Sequence, residues 1–225
     1  MAKKNKFETN AIHVGNKPDA STGSVSPPIN LTSTFAQDGI GKNKGFDYSR
    51  GTNPTRERLE KNIASLEGGY DAIAFSSGMA ATTALFQSLK QGDHVIISRN
   101  VYGGTYRMAT QILSNHGLKF DFVNTTNIQN IKDAIKPETK WIFIETPTNP
   151  MLEITDIKAV SQICQDHNIK FAVDNTFMSP YGQRPLDYGA DCVMHSSTKF
   201  IGGHSDVLGG VLVAKDKELA DRLHF

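Results

Sequence analysis

Short apolar runs that alternate with stretches of helical spacing constrain this chain more than any other feature. Residues 72–75, 94–98, 119–123, 141–145, 171–174 and 192–195 read as strands, and 211–214 as a seventh. Between most of them, residues 80–89, 105–116, 128–135 and 157–167 carry apolar side chains at three- and four-residue spacing. Strands that alternate with helices predict an α/β fold: a mostly parallel sheet sandwiched by helices. Residues 175–189 break the pattern, and Pro180 and Pro185 predict a loop there. A chain of 225 residues suits one large domain with an appendage, and at that size roughly 70% of the unfolded surface is buried without disulfides or metals.

The appendage lies at the start. Residues 7–50 are rich in Gly, Pro, Ser, Thr and Asn, include Pro27-Pro28 and lack sustained periodicity, so 1–52 reads as an extended N-terminal arm and 53–225 as the domain. A helix is predicted from Asn53-Pro54, with Leu59, Ile63 and Leu66 on one face and Gly68-Gly69 as its stop. Lys3, Lys4 and Lys6 are followed by no apolar stretch, and no later run approaches the ~20 residues that span a bilayer. The expectation is a cytoplasmic protein with no membrane partner. Cys164 and Cys192 have no metal-ligand or CxxC spacing, which predicts buried thiols, a reducing compartment and no metal site. With 24 Lys+Arg against 23 Asp+Glu the formal charge is +1, so no global field draws the chain to nucleic acid.

In an open parallel sheet, ligands bind beyond the carboxyl ends of the strands. The segments there are polar: Ser76-Ser77-Gly78-Met79, Tyr102-Gly103-Gly104, Glu145-Thr146-Pro147-Thr148-Asn149-Pro150, Asp174-Asn175-Thr176 and Ser196-Ser197-Thr198-Lys199. No G-x-G-x-x-G or P-loop pattern occurs, which removes the common nucleotide readings, a nicotinamide-dependent dehydrogenase included. Gly203-His204-Ser205-Asp206 places triad residue types side by side, where they cannot form a relay, and no G-x-S-x-G elbow exists. Ser77-Gly78-Met79 offers main-chain N–H groups at a helix start, suited to a phosphate, although serine-glycine turns are common for other reasons. Ser196 and Thr198, two residues apart, project to one side if the segment is extended. Lys199 among small polar residues is either a solvated side chain or an amine nucleophile. Asp174 ends a buried run, where its charge needs a partner: a capped turn, a cation, or a pyridinium nitrogen. A lysine imine combined with an aspartate on the ring nitrogen is what pyridoxal phosphate requires to act as an electron sink.

These segments, with Tyr48-Ser49-Arg50, Asn53-Pro54-Thr55, Val101-Tyr102-Gly103-Gly104-Thr105 and Asp174-Asn175-Thr176-Phe177, strongly resemble the Cys/Met-metabolism family of pyridoxal-phosphate enzymes, in order along nearly the whole chain. That family includes cystathionine γ-synthases, cystathionine γ- and β-lyases, O-acylhomoserine sulfhydrylases and methionine γ-lyases. The resemblance implies the large domain of a type I pyridoxal-phosphate transferase fold. It implies Lys199 as Schiff-base lysine and proton carrier, Asp174 as pyridinium partner and Asn149 as hydrogen-bond partner of the phenolic oxygen. Tyr102 corresponds to the tyrosine stacked on the ring; Gly78, Met79, Ser196 and Thr198 match the phosphate cradle, with Thr176 among the cofactor-binding residues. Tyr48 and Arg50 match the pair that reaches the phosphate of a neighbouring subunit, which implies a homodimer with shared sites and a tetramer as dimer of dimers. The implied activity is γ-elimination or γ-replacement on cystathionine or an O-acylhomoserine. The alternatives are a β-lyase, a sulfhydrylase, or a truncated fragment that binds cofactor without turnover. Gly104 disfavours a methionine γ-lyase, which typically carries cysteine there. Family members continue into a smaller C-terminal domain, so the chain, which stops at Leu223-His224-Phe225, is expected to lack it.

Overall fold

The computed structural model describes residues 6–225, so Lys3 and Lys4 lie outside the described residues. The chain divides into two compact units, Met1–Leu66 and Glu67–Phe225. In the first, a short helix α1 (Phe7–His13) buries no side chain. It has no apolar face, which is why the sequence carried no signal for it. Helix α2 (Pro54–Glu67) starts at the anticipated proline. The side-chain amide of Asn62 donates to the carbonyls of Asn10, Ala11 and Val14 at 3.2, 3.1 and 2.9 Å, so one residue of α2 secures the end of α1. Between the helices the chain runs through turns, joined at the antiparallel bridge of Thr34 with Tyr48.

The second unit is built on seven strands: β1 (Asp71–Phe75), β2 (His94–Ser98), β3 (Lys119–Val123), β4 (Thr139–Glu145), β5 (Lys170–Asp174), β6 (Cys192–His195) and β7 (Gly210–Ala214). They form one sheet in the order β1-β7-β6-β5-β4-β2-β3. Only β7 runs against the rest. The carboxyl ends of the other six therefore share one edge with the amino end of β7, where Gly210 is registered with Phe75. Every residue of β2, β6 and β7 is buried, so the central sheet is covered on both faces as its unbroken apolar runs require.

The helices α3 (Gly78–Gln87), α4 (Gly103–Gln111), α5 (Ile128–Asp133), α6 (Ile157–His167), α7 (Ser179–Gly182) and α8 (Lys217–His224) connect or follow the strands. Local chemistry sets several of their starts. The Ser77 side chain accepts from the N–H of Ala80, Asp156 from Ala159 and Asp216 from Leu219, each within 3.0 Å, which satisfies N–H groups that a helix start leaves open. Helix α3 thus begins two residues earlier than its apolar spacing suggests. The continuous helix expected over 105–116 is two: α4, then a 3₁₀ turn at Leu113–His116 closed by Gly117 at φ 82°. The loop expected over 175–189 is corrected too, since α7 and a 3₁₀ turn at Pro185–Tyr188 lie inside it. Each proline occupies a first turn, where its missing N–H has no helical partner to lose. Among the described residues no helix is long and apolar enough to cross a membrane. Both cysteines are free and buried.

Candidate active site

Parallel strands deliver side chains to a common edge, and two buried carboxylates meet there. Glu145 ends β4 and Asp174 ends β5, directly paired in register; they are 6% and 5% exposed. Glu145 Oε2 accepts the N–H of Tyr102 at 2.7 Å and Oε1 that of Asn149 at 2.8 Å. Burial, and then the neighbouring Asp174, push the Glu145 carboxyl up to about 7. Asp174 Oδ1 accepts the N–H of Thr176 at 3.0 Å. Burial raises the Asp174 carboxyl above the usual range, although hydrogen bonds from Thr176 work against that rise. Among the described residues neither carboxylate has an ion-pair partner. Buried negative charge of this kind calls for a cation.

A second feature lies at the ends of β1 and β6. Thr176 Oγ1 accepts the N–H of Ser196 at 2.8 Å, which links the loops after β5 and β6. A Cβ on Gly78 would lie 2.8 Å from the Ser196 Cβ, so only glycine lets the start of α3 approach the β6 loop this closely. Ser196 and the main chain around Gly78 and Met79 therefore face one another with small side chains and helix N–H groups, the makings of an anion cradle. Thr198 sits beside them, its hydroxyl exchanging hydrogen bonds with the carbonyl and N–H of Gly209 at 3.2 and 3.1 Å.

Residues 196–199 are not extended: β6 ends at His195 and residues 197–200 turn, with the Lys199 N–H donating to the Ser196 carbonyl at 3.2 Å. Lys199 is exposed on that turn. Tyr102 is 49% exposed, and its ring covers Gly104, where an added Cβ would collide with the ring and lie 2.8 Å from Met79 Sδ. One face of the tyrosine is packed and the other is open to a flat ligand. Asn149 is exposed at the end of its loop. Tyr48 and Arg50 belong to the first unit, with the guanidinium carbon 5.0 Å from the ring centroid.

Sequence reasoning passed over two carboxylates. Glu145 closes an unbroken buried run just as Asp174 does, and that parallel was the available signal. Glu67, fully buried, accepts from Asn175 Nδ2 at 2.9 Å and contacts His195 Nε2 at 2.5 Å, all through Oε1. It lies directly under the residues that follow Asp174 and precede Ser196. The whole edge thus offers a negative end, a small-residue cradle, an open aromatic face and an exposed amine, which fits a ligand with a cationic ring, a phosphate and a carbonyl.

The sequence matches the family described as Cys/Met metabolism PLP-dependent enzyme over residues 8–225. It is 49% identical over 219 residues to a probable cystathionine gamma-synthase of Herpetosiphon aurantiacus, covering 97% of this chain and 69% of that protein. It is 50% identical over 218 residues to the cystathionine beta-lyase MetC of Bacillus subtilis strain 168, covering 97% of this chain and 56% of that one. The crystal structure of cystathionine gamma-lyase from Lactobacillus plantarum complexed with L-serine superposes with a TM-score of 0.95 at 47% identity, covering 98% of this chain and 57% of that one. The chain therefore spans little more than half the length of the latter two.

Proposed function

Because the chain belongs to the Cys/Met metabolism PLP-dependent enzyme family, whose cofactor is pyridoxal phosphate, we propose that it acts in sulfur amino-acid metabolism by γ-elimination or γ-replacement on cystathionine or an O-acylhomoserine. The observation that carries this reading is the buried Asp174, an aspartate without a cation among the described residues at the edge where Lys199 emerges. Pyridoxal phosphate, when bound, supplies a protonated ring that takes up the electron pair left on removal of a substrate Cα proton. Asp174 holds the proton on the ring nitrogen. Lys199 Nζ is the amine that would hold the cofactor carbonyl and, when free, would move the proton at a substrate Cα. Tyr102 would pack against the ring, and Asn149 would hydrogen-bond its phenolic oxygen. Main-chain N–H groups at Gly78 and Met79 with the hydroxyls of Ser196 and Thr198 hold the phosphate, while Thr176 keeps Ser196 in place. Elimination at the β carbon is the second reading, supported by the 50% identity to a protein named as a β-lyase. Both cysteines are buried thiols, in keeping with a cytoplasmic enzyme.

Borohydride reduction of the protein mixed with pyridoxal phosphate tests the assignment. The expected result is a single stable adduct, mapped by peptide mass to Lys199. Labelling of another lysine at equal yield, or of none, overturns it.

We further propose a two-fold dimer, and a tetramer built from it, in which Tyr48 and Arg50 serve the neighbour's phosphate. The Arg50 guanidinium has the fork geometry that phosphate oxygens accept, and Tyr48 and Arg50 are both exposed in their own unit. Mixing Arg50→Ala subunits with Lys199→Ala subunits then gives mixed dimers that hold one doubly defective site and one intact site. After random exchange, about a quarter of wild-type activity returns. If Arg50 serves its own chain, every site keeps a defect and mixing restores nothing, provided exchange is shown independently.

A further inference from the structure

Glu145 joins two loops by their main chain. Tyr102 follows β2 and Asn149 follows β4, and each gives its N–H to a different oxygen of the same buried carboxylate. No other side chain among the hydrogen bonds of the site bridges two of the residues assigned above to the cofactor. An ionised carboxylate accepts at both oxygens; a protonated one carries an O–H that opposes one of the two N–H donors. The same holds for glutamine, whose amide group would face one donor with another. Only the anion can hold both loops at once.

The surroundings set when that anion exists. On β5 the register partner is Asp174, the one charged group acting on Glu145 from an adjacent strand among the described residues. On β2, Ser98 Oγ accepts the Glu145 N–H at 3.3 Å and passes contact on to Thr125 and Thr155, at 3.1 and 2.7 Å, hydroxyls that carry no charge. Arg99, next along that strand, is paired with Glu153 at 3.0 Å. A cation beside Asp174 therefore favours the ionised form of Glu145.

We propose that Glu145 is a positioning residue whose carboxylate form latches the Tyr102 and Asn149 loops into the arrangement that receives the cofactor, and whose protonation releases one of them. This rests on the cofactor roles proposed above for Tyr102 and Asn149. The latch closes as pH rises through about 7. The folded-state carboxyl lies above its unfolded value, so the cost of the buried anion builds as pH rises from the ordinary carboxylate range to about 7 and is level above it. A bound ring cation at Asp174 offsets that cost.

The test is amide hydrogen exchange of the cofactor-free 225-residue chain, read at Tyr102 and Asn149 and corrected for intrinsic rates. At the less protected of the two amides, protection is expected to rise roughly tenfold between pH 6 and pH 8, the change in the ionised fraction of a group with its midpoint at 7. In Glu145→Gln one amide stays open at every pH and the profile flattens, while Phe143 and Ile144, inside β4, keep their protection. A flat wild-type profile overturns the proposal, as does an identical profile in the variant; if the variant does not fold, the wild-type profile alone decides. A purely structural Glu145 would lower protection in the variant without any pH dependence in the wild type. Pyridoxal phosphate binding is then measured in both proteins, with at least about a tenfold weaker Kd expected for the variant. Absent binding by the wild type removes the functional reading but leaves the exchange result to judge the latch.

Discussion

Replacing Lys199 with alanine is expected to lower turnover of a sulfur amino-acid substrate by at least about 10⁴-fold and to abolish the visible absorption gained with pyridoxal phosphate. Two losses combine. The amine that attaches to the cofactor is gone, and so is the group that carries the proton at Cα, a role worth about 10²–10⁴ by itself. The structure separates this loss from unfolding. Lys199 is exposed on its turn and makes no ion pair among the described residues, so its removal shifts stability by no more than about 0.5 kcal/mol. A small primary alkylamine added to the mutant restores part of the proton transfer. Turnover within tenfold of wild type would remove Lys199 from the chemistry.

The largest effect on stability is expected at Glu67. Its Oε1 serves both His195 and Asn175, and all three residues are fully buried. Glu67 Oε2 and His195 Nδ1 already lack partners. Truncation to alanine strips the shared acceptor from two buried groups and leaves a cavity, at a cost of about 3–5 kcal/mol, against a total of roughly 5–15 kcal/mol for a domain. Glu67→Gln keeps one acceptor and costs less, about 1–3 kcal/mol. Denaturant midpoints at unchanged m values measure both. Asn175 also donates to the Gln183 carbonyl at 2.7 Å, so replacing Glu67 and His195 together by Met and Leu leaves only one of its two N–H donors without an acceptor and removes the other buried polar groups. That double variant is expected to be more stable than Glu67→Ala. A loss under about 1 kcal/mol for Glu67→Ala would show that the network contributes little.

The sheet was legible because its signal is local and repeated. The predicted bounds of β2, β3, β6 and α6 coincide with the observed ones, since their apolar spacing stands out against polar flanks. What failed had weak or ambiguous local signals. Helix α1 buries nothing, and the prolines of 175–189 mark either a break or a first turn, a choice made by contacts elsewhere in the chain. Within the site, Lys199 and Asp174 stood out by their place after strands, and the structure puts both at the common edge; the other candidates came from resemblance. Glu145 shares the strand-end place of Asp174 but was passed over because its two N–H partners are brought to it by the fold, and Glu67, at a helix end, has no distinguishing neighbours in sequence. Their partners lie 43 and 4 residues away for Glu145, and 108 and 128 for Glu67.

The place of β7 has a consequence for how the protein is made. Gly78 and Ser196 meet at the cradle, yet β7, the last strand in sequence, lies between the strands that precede them. A nascent chain cannot join β1 to the rest of its sheet until residues 210–214 have left the ribosome. At ~5–20 residues per second, 225 residues take roughly 10–45 s to synthesise, and β1 waits through most of that time with a free edge. Cofactor competence thus waits on the emergence of residues 210–214, and the interval before it is when the early strands most need protection from pairing with other chains.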